Sequence, residues 1–262
     1  MINELFSMKG KVALVTGGSR GLGYAISESF LHAGAKRVYI TARKALECNE
    51  AAVELSAISQ DGNAIAIPGD LSERDDLARI VSTISEAETS IDVLVNNAGT
   101  AWEMAVEEFP EKGWDKVMDL NVKVPFFLTQ QLLPLLKQGT ASSNTAAVIN
   151  IGSIAAIIGN SNNGFSYGAS KAAIHQLTRN LAYALAEDHV RVNAIAPGRF
   201  HSKMTSTVEQ NTQQYQREIS AIPLHRWGND DDIRGAALLL ASKAGAFMTG
   251  EVITVDGGTT LL

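Results

Sequence analysis

Along this chain, short continuous runs of β-branched and apolar residues alternate with longer stretches in which apolar residues recur every three or four positions. The first run, Lys11-Val12-Ala13-Leu14-Val15-Thr16, has no polar alternation, the pattern of a strand buried on both faces of a parallel sheet. After it, Ala25, Ile26, Phe30 and Leu31 keep helical spacing until Gly34, a residue that ends helices because it accepts left-handed backbone. The same alternation predicts strands over 37–41, 64–67 and 91–95 and helices over 46–58 and 77–84. A long helix over about 114–137 carries Pro125 and is expected to kink there, because proline brings no N–H to the helical ladder. Strands over 147–151, 190–195 and 252–255 and a helix over 168–187 complete the series. Seven strands joined by helical crossovers predict an α/β fold, a doubly wound parallel sheet in the order 3-2-1-4-5-6-7 with helices on both faces. Ligands bind such sheets at the carboxyl ends of the strands. No repeat, low-complexity tract or long linker divides residues 1–262, so one domain is expected, and only 199–227 interrupts the alternation as a separate lobe.

Composition narrows the partners. At 45% hydrophobic and 19% charged the chain is ordinary globular protein, and a net charge of -6 leaves no positive field for nucleic acid or an anionic membrane. Cys48 is the sole cysteine, which excludes an internal disulfide and thiolate metal centres and suits a reducing cytoplasm. The start has no basic and apolar leader, and nowhere do about 18 apolar residues run together, so a soluble cytoplasmic protein is expected. His32, His175, His189, His201 and His225 lack metal-ligand spacing and read as surface or loop histidines; no metal is expected.

Candidate chemistry gathers where strands end. Strand one runs into Gly17-Gly18-Ser19-Arg20-Gly21-Leu22-Gly23. Glycines there permit a tight turn and let the backbone approach a pyrophosphate, while the N–H groups opening the next helix attract its charge. Gly17, Ser19, Arg20, Gly21, Leu22 and Gly23 are thus candidate dinucleotide contacts. Strand two ends Thr41-Ala42-Arg43, without the acid that usually holds the ribose hydroxyls of NAD. Arg20 and Arg43 together favour the 2'-phosphate of NADP(H), the alternative being two solvated surface arginines. Tyr167 and Lys171 lie four apart on a predicted helix and so project from one face. A fixed ammonium typically lowers a neighbouring phenol by about 1 to 3 pKa units, which would make Tyr167 a general acid or base. Ser153 follows strand five, where its hydroxyl either donates to a substrate oxygen or caps a turn.

Thr16-Gly17 with Gly21 and Gly23, Asn96-Asn97-Ala98-Gly99, Asn121 in Asp119-Leu120-Asn121-Val122, Ser153, Tyr167, Lys171 and Pro197-Gly198 together resemble the short-chain dehydrogenase/reductase family along nearly the whole chain. The resemblance implies a Rossmann fold and catalytic roles for Asn121, Ser153, Tyr167 and Lys171. It further implies that Lys171 holds the nicotinamide ribose and that Asn121 holds a water linking the lysine to solvent. Asp70, Leu71, Asn97, Ala98, Gly99, Pro197, Gly198, Phe200 and Ser202 become expected cofactor contacts, Ser202 standing where relatives often carry threonine. The implied activity is reduction of a ketone by NADPH, with Tyr167 giving the proton. Family members are commonly homotetramers packed through the helices over 114–137 and 168–187. The lobe over 199–227 takes the place of the variable substrate lobe, and Trp102, Ile154, Arg199 and Met204 are candidate substrate contacts. Phe200, Ile222 and Trp227 read equally as pocket wall or as lobe core, and Arg199, His201 and Lys203 as an anion site or a solvated turn. The phrases around Thr100-Ala101-Trp102, Arg199-Phe200 and Arg226-Trp227-Gly228 look most like bacterial β-ketoacyl reductases associated with rhamnolipid formation. That suggests a 3-oxoacyl substrate, possible as an acyl thioester; a sugar or polyol dehydrogenase, or a silent NADP-binding regulator, is the alternative.

Overall fold

Continuous apolar runs form the central strands here because both faces of each are covered. The computed structural model describes residues 2–59, 62–138, 140–141, 144–159, 163–201 and 211–261. Its strands are β1 (Val12–Thr16), β2 (Arg37–Thr41), β3 (Asn63–Ala66), β4 (Val93–Asn96), β5 (Ala146–Ile151), β6 (Val190–Pro197) and β7 (Val252–Val255). They pair in parallel in the order β3-β2-β1-β4-β5-β6-β7, as the crossover pattern predicts. The helices are α1 (Ile2–Leu5), α2 (Gly21–His32), α3 (Ala45–Ile58), α4 (Arg74–Ala87), α5 (Glu111–Met118), α6 (Val124–Lys137), α7 (Phe165–Leu185), α8 (Thr212–Ser220) and α9 (Asp230–Ala241).

Every residue of β1, β4, β5 and β6 is buried. Successive side chains point to opposite faces, and the core divides accordingly. Ala13, Val15, Val93, Val95 and Ile149 pack with Ile26 and Phe30 of α2, Leu55 of α3 and Leu240 of α9. Val12, Leu14, Leu94 and Val148 pack with Ile80 of α4, Leu128 and Leu132 of α6 and Leu185 of α7. Each such aliphatic side chain contributes about 1.5–3 kcal/mol by leaving water. Two sandwiched layers of this kind hold the strand ends rigidly enough to carry a site. Because β1 neighbours both β2 and β4, the direction of winding reverses between β1 and β4, and that reversal opens a crevice at their carboxyl ends.

The long helix expected over 114–137 is divided. α5 passes through a wider π-turn over Asp119–Lys123 before α6 begins, and Pro125 stands in the first turn of α6. A missing N–H is harmless there, so the distortion comes before the proline rather than at it. One extra residue in the turn rotates Asn121 inward, where it is 3% exposed. In the lobe, Phe200, Ile222 and Trp227 are buried, and Trp227 meets Tyr215 of α8 edge-on at 4.8 Å. Gly228 N–H bonds Arg199 O at 2.8 Å, and the Phe200 ring covers Gly228. These residues serve the lobe's own core, while Leu224 and Ile157 remain exposed.

Candidate active site

The ends of β1 and β4 are stitched together by side chains. Thr16 Oγ1 donates to Val95 O at 3.2 Å and accepts from the N–H groups of Asn97 and Ala98, both at 2.9 Å. Asn97 Nδ2 returns a bond to Thr16 O at 2.8 Å and another to Gly17 O at 3.2 Å. Against this frame the glycine turn closes with positive φ at Gly17 and Gly21, +65° and +55°, a region that favours glycine. A Cβ on Gly23 would lie 2.4 Å from both Gly17 O and Asn97 Nδ2, so α2 can pack this closely only with glycine there. The first turn of α2 has no acid, and Arg20, its N-cap, offers no side-chain cap. Its N–H groups therefore suit a phosphate, the anion a helix N-terminus attracts.

At the end of β2, Thr41 is buried and the chain continues Ala42-Arg43 with no carboxylate. Arg20 lies 3.5 Å from Glu47, Arg43 lies 3.9 Å from Asp70, and Lys44 bonds Glu47 at 2.5 Å. Lys44, unremarked in the sequence reading, thus joins Arg20 at one carboxylate; its signal was its place beside Arg43 at the start of α3. These pairs are largely exposed and worth about 0–1 kcal/mol each, so a phosphate dianion can displace the acids. The residues present fit the 2'-phosphate of NADP(H). Asp70 also accepts from Ser72 N–H, and Leu71 is buried in the core, so only backbone at Leu71 can face a ligand. The Phe200 side chain is likewise buried in the core, so only its backbone can face a ligand. Ser202, Lys203 and Met204 lie outside the described residues.

β5 delivers Ser153 in extended conformation at the head of a short 3-10 turn, where its hydroxyl accepts from Ala155 N–H at 3.1 Å. The same hydroxyl lies near that of Tyr167 and acts to lower the phenol, so capping and the functional placement coexist. One turn along α7, Lys171 is buried and its Nζ donates to Ile151 O at 2.7 Å, 5.5 Å from the Tyr167 ring centre. Asn121 accepts from Thr100 N–H at 2.9 Å and donates to Thr100 O at 2.9 Å and Ser170 Oγ at 3.0 Å, fastening the loop after β4 to α7. Gly99 lies between them: a Cβ there would be 3.2 Å from Asn121 Oδ1 and 3.8 Å from Lys171 Nζ.

The electrostatics correct one expectation. Burial raises Tyr167 above its usual pKa, and the opposing influences are the Ser153 hydrogen bond and the charge of Arg199, not Lys171. The lysine faces the Ile151 carbonyl and the ring, and burial pushes Lys171 itself down to about 8. Arg199 in turn pairs with Glu218 of α8 at 3.2 Å. Trp102 packs against α5, covering Gly113 with Lys116 Nζ 5.7 Å from its ring centre. Ile154 is half-buried beside Ser153, and Pro197-Gly198 abuts β7 through Gly198 N–H to Val255 O at 2.9 Å.

A family model described as enoyl-(acyl carrier protein) reductase matches residues 17–260. The chain is 48% identical over 257 residues to the rhamnolipids biosynthesis 3-oxoacyl-[acyl-carrier-protein] reductase of Pseudomonas aeruginosa, covering 98% of this chain and 99% of that one. This chain belongs to the short-chain dehydrogenase/reductase family. It is also 35% identical to a 2-dehydro-3-deoxy-D-gluconate 5-dehydrogenase of Pseudoalteromonas atlantica, over 97% of this chain and 98% of that one. The solved Pseudomonas aeruginosa RhlG/NADP active-site complex superposes with a TM-score of 0.94 at 47% identity, covering 98% of this chain and 99% of that one.

His175 overturns its sequence reading. It is no surface or loop histidine: it sits on α7 two turns beyond Tyr167, 6% exposed. Burial first, then the charges of Lys171 and Arg179, hold it down at about 4. Below an ordinary value of 6.5 the unfolded chain binds a proton that the folded one refuses, so stability is full above that pH and is lost as pH falls toward 4. Acidification from pH 7 to about 4.5 is expected to remove on the order of 2 kcal/mol through this group, after allowance for solvent screening. Urea unfolding of the native protein and His175→Gln at both pH values tests it. The variant should show a smaller acid loss; equal losses would place the sensitivity elsewhere.

Proposed function

We propose that this protein is an NADPH-dependent carbonyl reductase acting on a 3-oxoacyl chain, presented as a thioester. The observation that carries the reading is the nearness of the Ser153 and Tyr167 hydroxyls, with buried Lys171 one turn behind and the glycine cradle opening on the same strand ends. NADP(H) would be held by the α2 N-terminus, Arg20, Arg43 and Lys44, and would supply hydride. All else falls to the side chains. Ser153 and Tyr167 donate to the substrate oxygen, and as the carbonyl carbon is reduced the Tyr167 proton passes to the developing alkoxide. Lys171, at about 8, is mostly protonated at neutral pH and can restore that proton, while Asn121 keeps the loop beside it open to a water route. Oxidation of the alcohol is the same path reversed.

Support for the acyl chain comes from apolar surface in the turn that follows Ser153, where Ile157 is 51% exposed. A second reading, a sugar-acid dehydrogenase, is favoured by Arg199, whose charge reaches Tyr167 and suits a carboxylate. No helix among the described residues is long and apolar enough to cross a membrane, which agrees with a cytoplasmic enzyme. Trp114, Phe127 and Phe165 expose apolar surface on α5, α6 and α7, which supports a homotetramer packed through those helices. The test is a spectrophotometric screen of 3-oxoacyl thioesters, keto-gluconates, diketones and aromatic ketones with both reduced cofactors. The 3-oxoacyl thioesters with NADPH should give the highest kcat/KM; faster turnover of a keto-gluconate would favour the second reading, and no oxidation of NADPH on any of them would exclude both.

A further inference from the structure

α7 grips the end of β5 with side chains at four-residue steps on one face, Tyr167, Lys171 and His175. Tyr167 faces Ser153, Lys171 bonds the Ile151 carbonyl, and His175 lies against the residue between them, Gly152. Of these three side chains only His175 has no part in the chemistry proposed above. Its Nε2 is buried without a hydrogen-bond partner among the described residues, an arrangement that native proteins seldom keep without reason.

The contact with Gly152 supplies the reason. A Cβ placed on Gly152 would stand 2.1 Å from His175 Nε2 and 2.7 Å from Cδ2, and nothing wider than a Cα hydrogen fits. Gly152 has no positive φ, so its backbone conformation does not demand glycine; the imidazole does. Gly152 N–H is bonded to Ile195 O at 2.7 Å, an oxygen the same Cβ would approach to 3.2 Å, and the segment cannot retreat without breaking that bond.

We propose that His175 is a positioning residue: its neutral imidazole is the stop on which Gly152 rests, and it thereby sets the reach of Ser153 toward Tyr167. The proposal rests on reading Ser153 and Tyr167 as the reacting pair. Residues 151, 152 and 153 are then held by Lys171, His175 and Tyr167 in turn, so α7 and the strand end move as one body.

The experiment compares Gly152→Ala, His175→Ala and the double variant, assayed with acetoacetyl-coenzyme A and NADPH. Gly152→Ala should lower kcat by about 100-fold, as a misplacement of about 1 Å does, with the Kd for NADPH changed by less than about threefold. Adding His175→Ala vacates the space and should recover at least about tenfold of the loss. A double variant no faster than Gly152→Ala, or full activity in Gly152→Ala, overturns the proposal. His175→Leu guards against a folding failure: it keeps bulk beneath an unchanged glycine and should hold kcat within about tenfold. A loss of about 100-fold or more at unchanged Tm would give the imidazole a chemical role instead. If the native protein is inactive on the thioester, the proposed substrate fails, yet this proposal is still read from the phenol. The Ser153 hydroxyl acts to lower Tyr167, so Gly152→Ala should raise the Tyr167 titration midpoint, followed by ultraviolet difference against Tyr167→Phe; an unchanged midpoint overturns it.

Discussion

Tyr167→Phe is expected to lower kcat for ketone reduction by about 1000-fold while leaving the Kd for NADPH within about threefold, since a positioned proton donor typically accounts for about 100- to 10,000-fold. Removing one oxygen leaves the ring on α7, where Lys171 Nζ lies 5.5 Å from its centre. What disappears is the hydroxyl that faces Ser153, the proposed source of the proton. Burial raises Tyr167 in the free protein, so the phenol stays protonated through neutral pH and is ready to give its proton in the reductive direction. The alkaline side of the profile belongs first to Lys171, held down at about 8 by burial. Reduction should therefore weaken above that pH as the amine loses the proton with which it would recharge the phenol. Single-turnover kinetics and cofactor fluorescence measure the two quantities separately. A fall of less than about tenfold in the variant would mean that another group supplies the proton.

The second large effect concerns the cofactor. Arg20→Ala combined with Arg43→Ala should raise the Kd for NADPH by about 100-fold and that for NADH by no more than about threefold, because charge-assisted hydrogen bonds to phosphate contribute about 1.5–3 kcal/mol each and do not add fully. The starting state costs little to disrupt. The Arg20–Glu47 and Arg43–Asp70 pairs, at 3.5 and 3.9 Å, are loose and mostly exposed. Lys44 shares Glu47 with Arg20, so Lys44→Ala added to the pair should deepen the NADPH loss alone. Fluorescence titration with both reduced cofactors reads the outcome. Equal losses for NADPH and NADH would show that these cations support the loop rather than recognise the phosphate.

Several features were readable before any fold because they are local. Continuous β-branched runs marked β1, β4 and β5, and their burial on two faces follows from the same pattern. Glycine at 17, 21 and 23 announced a backbone that no side chain could enter, and the positive φ values and the 2.4 Å approach at Gly23 are that requirement made visible. The four-residue step from Tyr167 to Lys171 placed both on one face of α7. The same step continued to His175 would have placed it there too, but a scattered histidine without ligand spacing gave no chemical reason to look.

Other features needed the chain to meet itself. The direction of the Lys171 ammonium depends on the Ile151 carbonyl, twenty residues earlier and on another element, so spacing alone overstated its hold on the phenol. The inward turn of Asn121 depends on how α5 and α6 are joined, which a helical period cannot show. Phe200 and Trp102 were ambiguous by type and were assigned to packing only by the glycines they cover, Gly228 and Gly113. By itself the sequence determined the order of elements, the glycine cradle and the residues that share a helix face, because each is set by neighbours along the chain. Tertiary structure alone decided the electrostatics of Tyr167 and Lys171 and the wedge beneath Ser153, because burial and contact distance belong to pairs of elements and not to any one of them.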